Sequence, residues 1–246
     1  MSSPVARVAL ALSYGVANHA LFAVAIAAMI AGLYSGLTTG FGRLEGAGAL
    51  AANAALALQF PLLHSFLLSR AGRGVLLRLA PRAFAADLST TSFALFGSLQ
   101  VLATFALWSP SSIVLYAAEG AWWWLSIVAF GASWALLVVA LANAGLELQT
   151  GSLGWWSVLR GKRPQFRDFP THGLFRRCRQ PVYLAFALTL WTGPTLTLDR
   201  LALALVWTAY CALAPLHKEA RYLARYGERF ELYRRRTPYL LPRLKA

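Results

Sequence analysis

The chain has 246 residues, 58% of them hydrophobic and only 13% charged, with a mean hydropathy of +0.54. Soluble domains carry about 25% charged residues, so this balance excludes a soluble globular class and implies an integral membrane protein. The net charge of +14 would suggest nucleic acid in a soluble chain, but its distribution excludes that partner.

Six apolar spans are expected, at roughly 8–33, 47–69, 89–108, 121–143, 181–197 and 199–217. Arg7 precedes the first, and Arg70, Arg73, Arg78 and Arg82 lie between the second and third. Arg160, Lys162, Arg163, Arg167, Arg176, Arg177 and Arg179 lie between the fourth and fifth, and nine more basic residues, ending with Arg243 and Lys245, follow the sixth. The other side receives only Arg43 and Arg200. This positive-inside bias places both termini in the cytoplasm of a bacterial-type inner membrane, with membrane lipids as partners. The expected fold is all-α: a polytopic helix bundle forming one membrane domain, 1–246, with a C-terminal amphipathic helix. No internal repeat is evident, which weighs against a transporter built from duplicated halves.

In chain order, the first span is too long for a signal-peptide core and is read as retained. It contains Tyr14, Asn18 and His19, polar residues expected to face the bundle interior. The second contains Asn53, Gln59, Pro61, His64 and Ser65. The loop from Arg70 to Asp87 mixes leucine and arginine and reads as interfacial. Asp87-Leu88-Ser89 reads as the N-cap region of the third span, which closes at Trp108-Ser109-Pro110. Trp122-Trp123-Trp124 forms an aromatic belt at the start of the fourth. The stretch 144–180 is polar, punctuated by Gly151, Gly154, Pro164 and Pro170, with an interfacial segment at Trp155-Trp156. A helical hairpin follows, opened by Pro181 at its first helical position, broken at Gly193-Pro194, and resumed with Asp199 as N-cap. Beyond His217, Tyr222, Tyr226, Phe230 and Tyr233 recur at helical spacing as one stripe, Arg221, Arg225 and Arg229 form another, and Gly227 marks a break. Cys178 and Cys211 form no disulfide or metal-ligand pattern, and the histidines share no close spacing, so no metal is expected.

Two short blocks flank the hairpin. The first supplies Gly173, Phe175, Arg179, Pro181 and Tyr183; the second supplies Glu219, Gly227, Phe230, Tyr233, Pro238 and Pro242. Together they resemble the isoprenylcysteine carboxyl methyltransferase superfamily. Leu63-His64-Ser65, Asp87-Leu88-Ser89-Thr90 and the run Trp191–Thr197 resemble its methanethiol S-methyltransferase and NnrU-type branch. Three positions depart from the pattern: Gln180 stands for His, Lys218 for Glu and Ala185 for Gly.

The resemblance implies a membrane-bound methyltransferase using S-adenosylmethionine, held within 144–246, with a small or lipophilic acceptor: a thiol, a carboxyl group or a lipid. Arg179 and Glu219 are the expected catalytic pair. Arg176 or Arg179 would take the donor's carboxylate and Glu219 its ammonium or ribose hydroxyls. Tyr183 and Tyr233 would wall the adenine or shield the sulfonium, with Gln180 and Pro181 beside them and His64 toward the acceptor. Structural readings stand beside these: Glu219 in an ion pair with a tail arginine, His64 as a buried interior imidazole, and the tail helix lying on the membrane surface. The three departures motivate the alternative of a non-catalytic member of the fold, serving as an accessory or assembly subunit of a membrane complex.

Overall fold

A computed structural model describes residues 3–242; Arg243 and Lys245 of the expected basic tail lie outside the described residues. In chain order the elements are α1 (Pro4–Ser35), α2 (Gly46–Leu67), α3 (Arg70–Leu79), α4 (Ala85–Leu107), β1 (Val114–Ala117), α5 (Gly120–Ala144), α6 (Leu146–Gln149) and α7 (Ser152–Arg160). A short 3-10 turn (Gly173–Arg176) precedes α8 (Pro181–Trp191), β2 (Thr195–Thr197), α9 (Leu198–Tyr226) and α10 (Glu228–Arg236). Five of these helices, α1, α2, α4, α5 and α9, are long and apolar enough to cross a membrane. The protein is thus a nearly all-α integral membrane protein, as expected.

The chain forms two compact units. The first comprises residues 1–32, 37–111 and 145–167. Hydrocarbon cannot drive apolar helices together, so polar side chains and close approach must do it. Gln59 on α2 and Gln100 on α4 exchange bonds: Gln100 Nε2 donates to the Gln59 side chain at 3.1 Å, and Gln59 Nε2 to the Gln100 carbonyl at 2.9 Å and to Thr104 Oγ1 at 2.9 Å. Asn53 closes both polar groups of Ser109, donating to its carbonyl at 2.7 Å and accepting from its backbone N–H at 3.0 Å. Thr91 on α4 donates to the Gly151 carbonyl at 2.6 Å and accepts from the Trp155 N–H at 2.9 Å. Gly154 permits that approach: a Cβ there would lie 2.6 Å from Thr91 Oγ1. Asn18 is buried, as expected, and donates to the Thr150 carbonyl at 2.7 Å. His19 is exposed instead, and accepts from the Trp155 indole N–H at 3.3 Å; one residue past Asn18, it is turned about 100° away on the helix.

The second unit comprises residues 33–36, 112–144 and 168–246. Here α5 and α8 meet through Leu137, Ala140 and Ala185, with Val182 and Phe186 beside them. The Ala185 methyl is therefore part of a helix–helix contact. α8 and α9 meet through stacked Phe186 and Trp207 rings, 5.8 Å apart.

Three expectations change. The span expected over 181–197 is an 11-residue helix, about 16 Å long, followed by an extended segment. That segment, β2, pairs antiparallel with β1, a strand absent from the sequence reading because four residues carry no decisive periodicity. The α9 N-cap is Thr197, whose hydroxyl accepts from the Arg200 N–H at 3.1 Å, and Asp199 lies in the first turn. Likewise α4 begins at Ala85 with Asp87 in its first turn. Finally, α9 runs unbroken from Leu198 to Tyr226, since no glycine intervenes before Gly227.

Arg200, read from sequence as a charge on the poorly basic side, is 1% exposed. Its guanidinium donates to the carbonyls of Leu190 at 3.0 Å, Gly193 at 2.8 Å and Thr195 at 2.7 Å. It closes the end of α8, whose last carbonyls have no helical partner. Arg200→Met should strand these acceptors and destabilise the protein by at least about 3 kcal/mol, read as a lowered unfolding midpoint in detergent; an unchanged midpoint would show the carbonyls find other donors.

Candidate functional site

The second unit brings both sequence blocks together around one carboxylate. Gly173, at φ +55, starts the 3-10 turn directly against α5, where any Cβ would collide with the Asn143 amide. Asn143 Oδ1 accepts from the Leu174 N–H at 2.8 Å, tying the turn to α5. Pro181 takes the first position of α8, where its missing N–H is harmless. Arg179 and Gln180 are thereby delivered just before that helix, facing Lys218 and Glu219 on α9.

Arg179 and Glu219 form a two-pronged ion pair. Arg179 Nε donates to Glu219 Oε1 at 2.8 Å and Nη2 to Oε2 at 3.2 Å, with side chains only 11% and 8% exposed. Arg179 Nη1 donates to the carbonyls of Arg234 at 2.6 Å and Thr237 at 2.8 Å, and its backbone N–H to the Pro238 carbonyl at 2.9 Å. The tail after α10 is therefore folded back over Arg179. Gln180 Nε2 adds a third donor to Glu219 Oε1 at 2.7 Å.

Gln180 occupies the N-cap position of α8, but its side chain makes no cap hydrogen bond. Its amide oxygen accepts from the Lys218 ammonium at 2.5 Å, so two of the three motif departures touch each other. Lys218 Nζ also lies 5.1 Å from the Tyr183 ring centre and 6.0 Å from that of Tyr222, positions where aromatic faces attract a cation. Gln180 is thus held between a cation and an anion, which sets its amide: oxygen toward Lys218, nitrogen toward Glu219.

The remaining residues sort clearly. Tyr233 donates to the Phe175 carbonyl at 2.7 Å, and burial raises the pKa of its phenol, which keeps it a donor. Tyr239 donates to the Ala212 carbonyl at 2.7 Å, with burial pushing its phenol to about 12. Arg176 is exposed at the end of the 3-10 turn. His64 belongs to the first unit, between Phe60 and Phe93 with ring centres 4.8 and 4.5 Å away, and its buried Nδ1 has no protein partner.

The tail's aromatic stripe does not lie bare on a surface. Tyr222, Tyr226, Phe230 and Tyr233 surround the buried Phe169 ring with centres 4.9 to 6.0 Å away. Arg229 stacks over that ring at 5.2 Å and pairs with Asp168. Phe169 was missed from sequence because a lone aromatic in a polar stretch carries no periodic signal. Thr237 and Tyr239 were missed for the same reason, whereas Lys218 was noticed only as a departure.

These geometries bear on a donor of the S-adenosylmethionine type. Arg179 and Glu219 direct their hydrogen bonds to each other, Gln180 and the backbone. The group with hydrogen-bonding capacity left is Lys218, which uses one of three N–H bonds, beside the rings of Tyr183 and Tyr222. An ammonium for a carboxylate and aromatic faces for a sulfonium suit such a donor in kind.

Comparison with known proteins adds the family context. A methanethiol S-methyltransferase of Bradyrhizobium diazoefficiens is 31% identical over 159 residues, 63% of this chain and 60% of the relative. The one from Crocosphaera subtropica is 26% identical over 186 residues, 74% of this chain and 71% of its own. That of Pseudomonas deceptionensis is 25% identical over 161 residues, 65% and 62% respectively. The chain is similar to these methanethiol S-methyltransferases over 63% to 74% of its length. The branch expected from the two blocks is borne out, although the aligned part spans only about three fifths of the first relative's length. No family model matches the chain, and no solved structure does.

Glu219→Gln keeps the shape and removes the counter-charge of a buried guanidinium, which should destabilise the protein by about 3–5 kcal/mol. Tyr233→Phe, which removes one hydrogen bond, should cost about 1 kcal/mol. Thermal unfolding of both variants in one detergent checks the order; equal midpoints would contradict it. Cys178 is 2% exposed, and its thiol pKa is raised by burial, partly offset by the Gln180 backbone N–H. Maleimide at neutral pH should therefore label Cys178 only after unfolding.

Proposed function

We propose that this protein is a methyltransferase of the inner membrane, with both termini cytoplasmic, that moves a methyl group from S-adenosylmethionine to a small thiol. The observation that carries this reading is the meeting of the two motif blocks around Glu219 in a chain similar to methanethiol S-methyltransferases. When bound, the donor supplies an electrophilic methyl carbon on a positively charged sulfur.

The chain's own residues have three tasks. Arg179, Gln180 and Glu219 are the frame: their mutual bonds hold the start of α8, the end of α9 and the tail in register, and Tyr233 pins the 3-10 turn to α10. Lys218 offers its two unspent N–H bonds to the donor's carboxylate, assisted from the exposed side by Arg176. Tyr183 and Tyr222 present faces to the sulfonium. Methyl transfer is an in-line displacement, so alignment and exclusion of water supply most of the acceleration, and positive charge nearby favours the acceptor thiolate.

Titration of the full chain in detergent with S-adenosylmethionine, followed by transfer of labelled methyl to methanethiol, tests the reading. Saturable binding and thiol-dependent product are expected. Lys218→Met, which loses one charge-assisted contact, should weaken donor binding by about tenfold or more. Absence of saturable binding at millimolar donor would sink the enzyme. One feature favours the second reading, a non-catalytic accessory subunit: Arg179 and Glu219 satisfy each other. Under that reading the wild type binds no donor, and Gln180→His combined with Lys218→Glu gains binding.

A further inference from the structure

We propose that the first unit carries a site for one anionic glycerophospholipid, with an acyl chain in a groove along α1 and α4 and the phosphate at Arg7. The groove has a volume of about 560 Å³ and is lined by Tyr14, Ala17 and Leu21 of α1, Leu79 of α3, and Leu95 and Leu99 of α4, among others. Its wall is almost wholly apolar, as a hydrocarbon chain requires. Tyr14 and Leu21 lie seven residues apart, just under two turns, so the groove follows one face of α1 for about 10 Å.

Arg7 lies on that same face, another seven residues before Tyr14, about 10 Å further along the helix axis. Its guanidinium reaches Gly161 at the C-terminal end of α7, where any Cβ would meet it. Yet its Nε is buried and has no hydrogen-bond partner. Among the described residues, Arg7, Arg78, Arg82, Arg160 and Lys162 take part in no ion pair. The one acid on α1, α3, α4 and α7, Asp87, is also in none. Arg78 precedes the groove-lining Leu79, and both Arg78 and Arg82 are exposed.

A buried guanidinium donor without an acceptor costs free energy, and a phosphate oxygen is the acceptor that also answers the surrounding charge. A neutral hydrocarbon would fill the groove and leave Arg7 unmet. A free phosphate would meet Arg7 and leave the groove open. A phospholipid with net negative charge satisfies both at once.

The test uses the full chain purified in dodecylmaltoside and titrated with phosphatidylglycerol or phosphatidylcholine of the same acyl composition, with unfolding midpoint as readout. A ligand that binds only the folded state raises the midpoint. Phosphatidylglycerol should act saturably at a concentration about fivefold or more below phosphatidylcholine, the factor expected per arginine. Arg7→Gln should erase that difference. Leu95→Trp, which fills the groove, should remove the shift by either lipid while leaving the circular dichroism unchanged. Should Arg7→Gln fail to fold, the Arg78→Gln and Arg82→Gln pair, at exposed positions, should narrow the difference instead. Equal potency of the two lipids on the wild type overturns the proposal, and so does a phosphatidylglycerol shift that survives Leu95→Trp. Inorganic phosphate reproducing the shift would assign the site to a free anion and overturn the lipid.

Discussion

Glu219 is a buried carboxylate that receives three side-chain hydrogen bonds, two from Arg179 and one from Gln180. An unpaired charge there would be expensive to bury, so the partners must arrive together. Their arrival commits a large part of the second unit. Arg179 brings the start of α8, its other donors bring the tail at Arg234, Thr237 and Pro238, and Gln180 brings Lys218 with the rings of Tyr183 and Tyr222. The motif residues are thus a mutually satisfied set rather than a row of independent ligand contacts. Gln180 and Lys218 are matched to each other, and replacing either alone leaves the other's hydrogen bond unmade.

The same economy governs the rest of the fold. A helix as short as α8 cannot bring its own carbonyls to water or to a following turn of helix, so Arg200 closes them from the side while Thr197 caps α9. Thr197 also donates to the Gly36 carbonyl, which ties residues 33–36 into the second unit. Within the first unit the Gln59–Gln100 and Asn53–Ser109 pairs do the work that hydrophobic burial does in water, because a leucine gains little by leaving lipid for another leucine. Of the polar residues visible in the sequence inside apolar spans, Asn18, Asn53 and Gln59 are hydrogen-bonded and His64 is ring-stacked, with His64 Nδ1 and Asn18 Oδ1 still unmet.

Much of the candidate site was legible beforehand because its residue types are costly at a membrane boundary. A carboxylate and a guanidinium cluster flanking an apolar hairpin announce pairing, and Gly173, Pro181 and Gly227 announce the backbone conformations they permit. What was misread followed from local ambiguity. The hairpin's first arm looked like a marginal span because Pro181–Thr197 carries no charged residue, whereas only its first eleven residues are helical. The aromatic stripe of the tail looked like a surface helix because its partner, Phe169, lies more than fifty residues before the first ring's end of the motif's last block and carries no pattern of its own.

From the sequence alone came the membrane class, the rough bounds of the five long apolar helices among six expected spans, and the pairing of two blocks across a hairpin. These follow from composition, hydropathy and the spacing of charged and helix-breaking residues, all of which are local properties of the chain. Only the tertiary structure decided that Arg179 and Glu219 bind each other, that Lys218 rests on Gln180 and two tyrosines, that Arg200 is an internal cap, and that β1 and β2 pair. Those outcomes depend on which donor meets which acceptor across long separations in sequence, and no local pattern encodes the choice among several equally charged arginines.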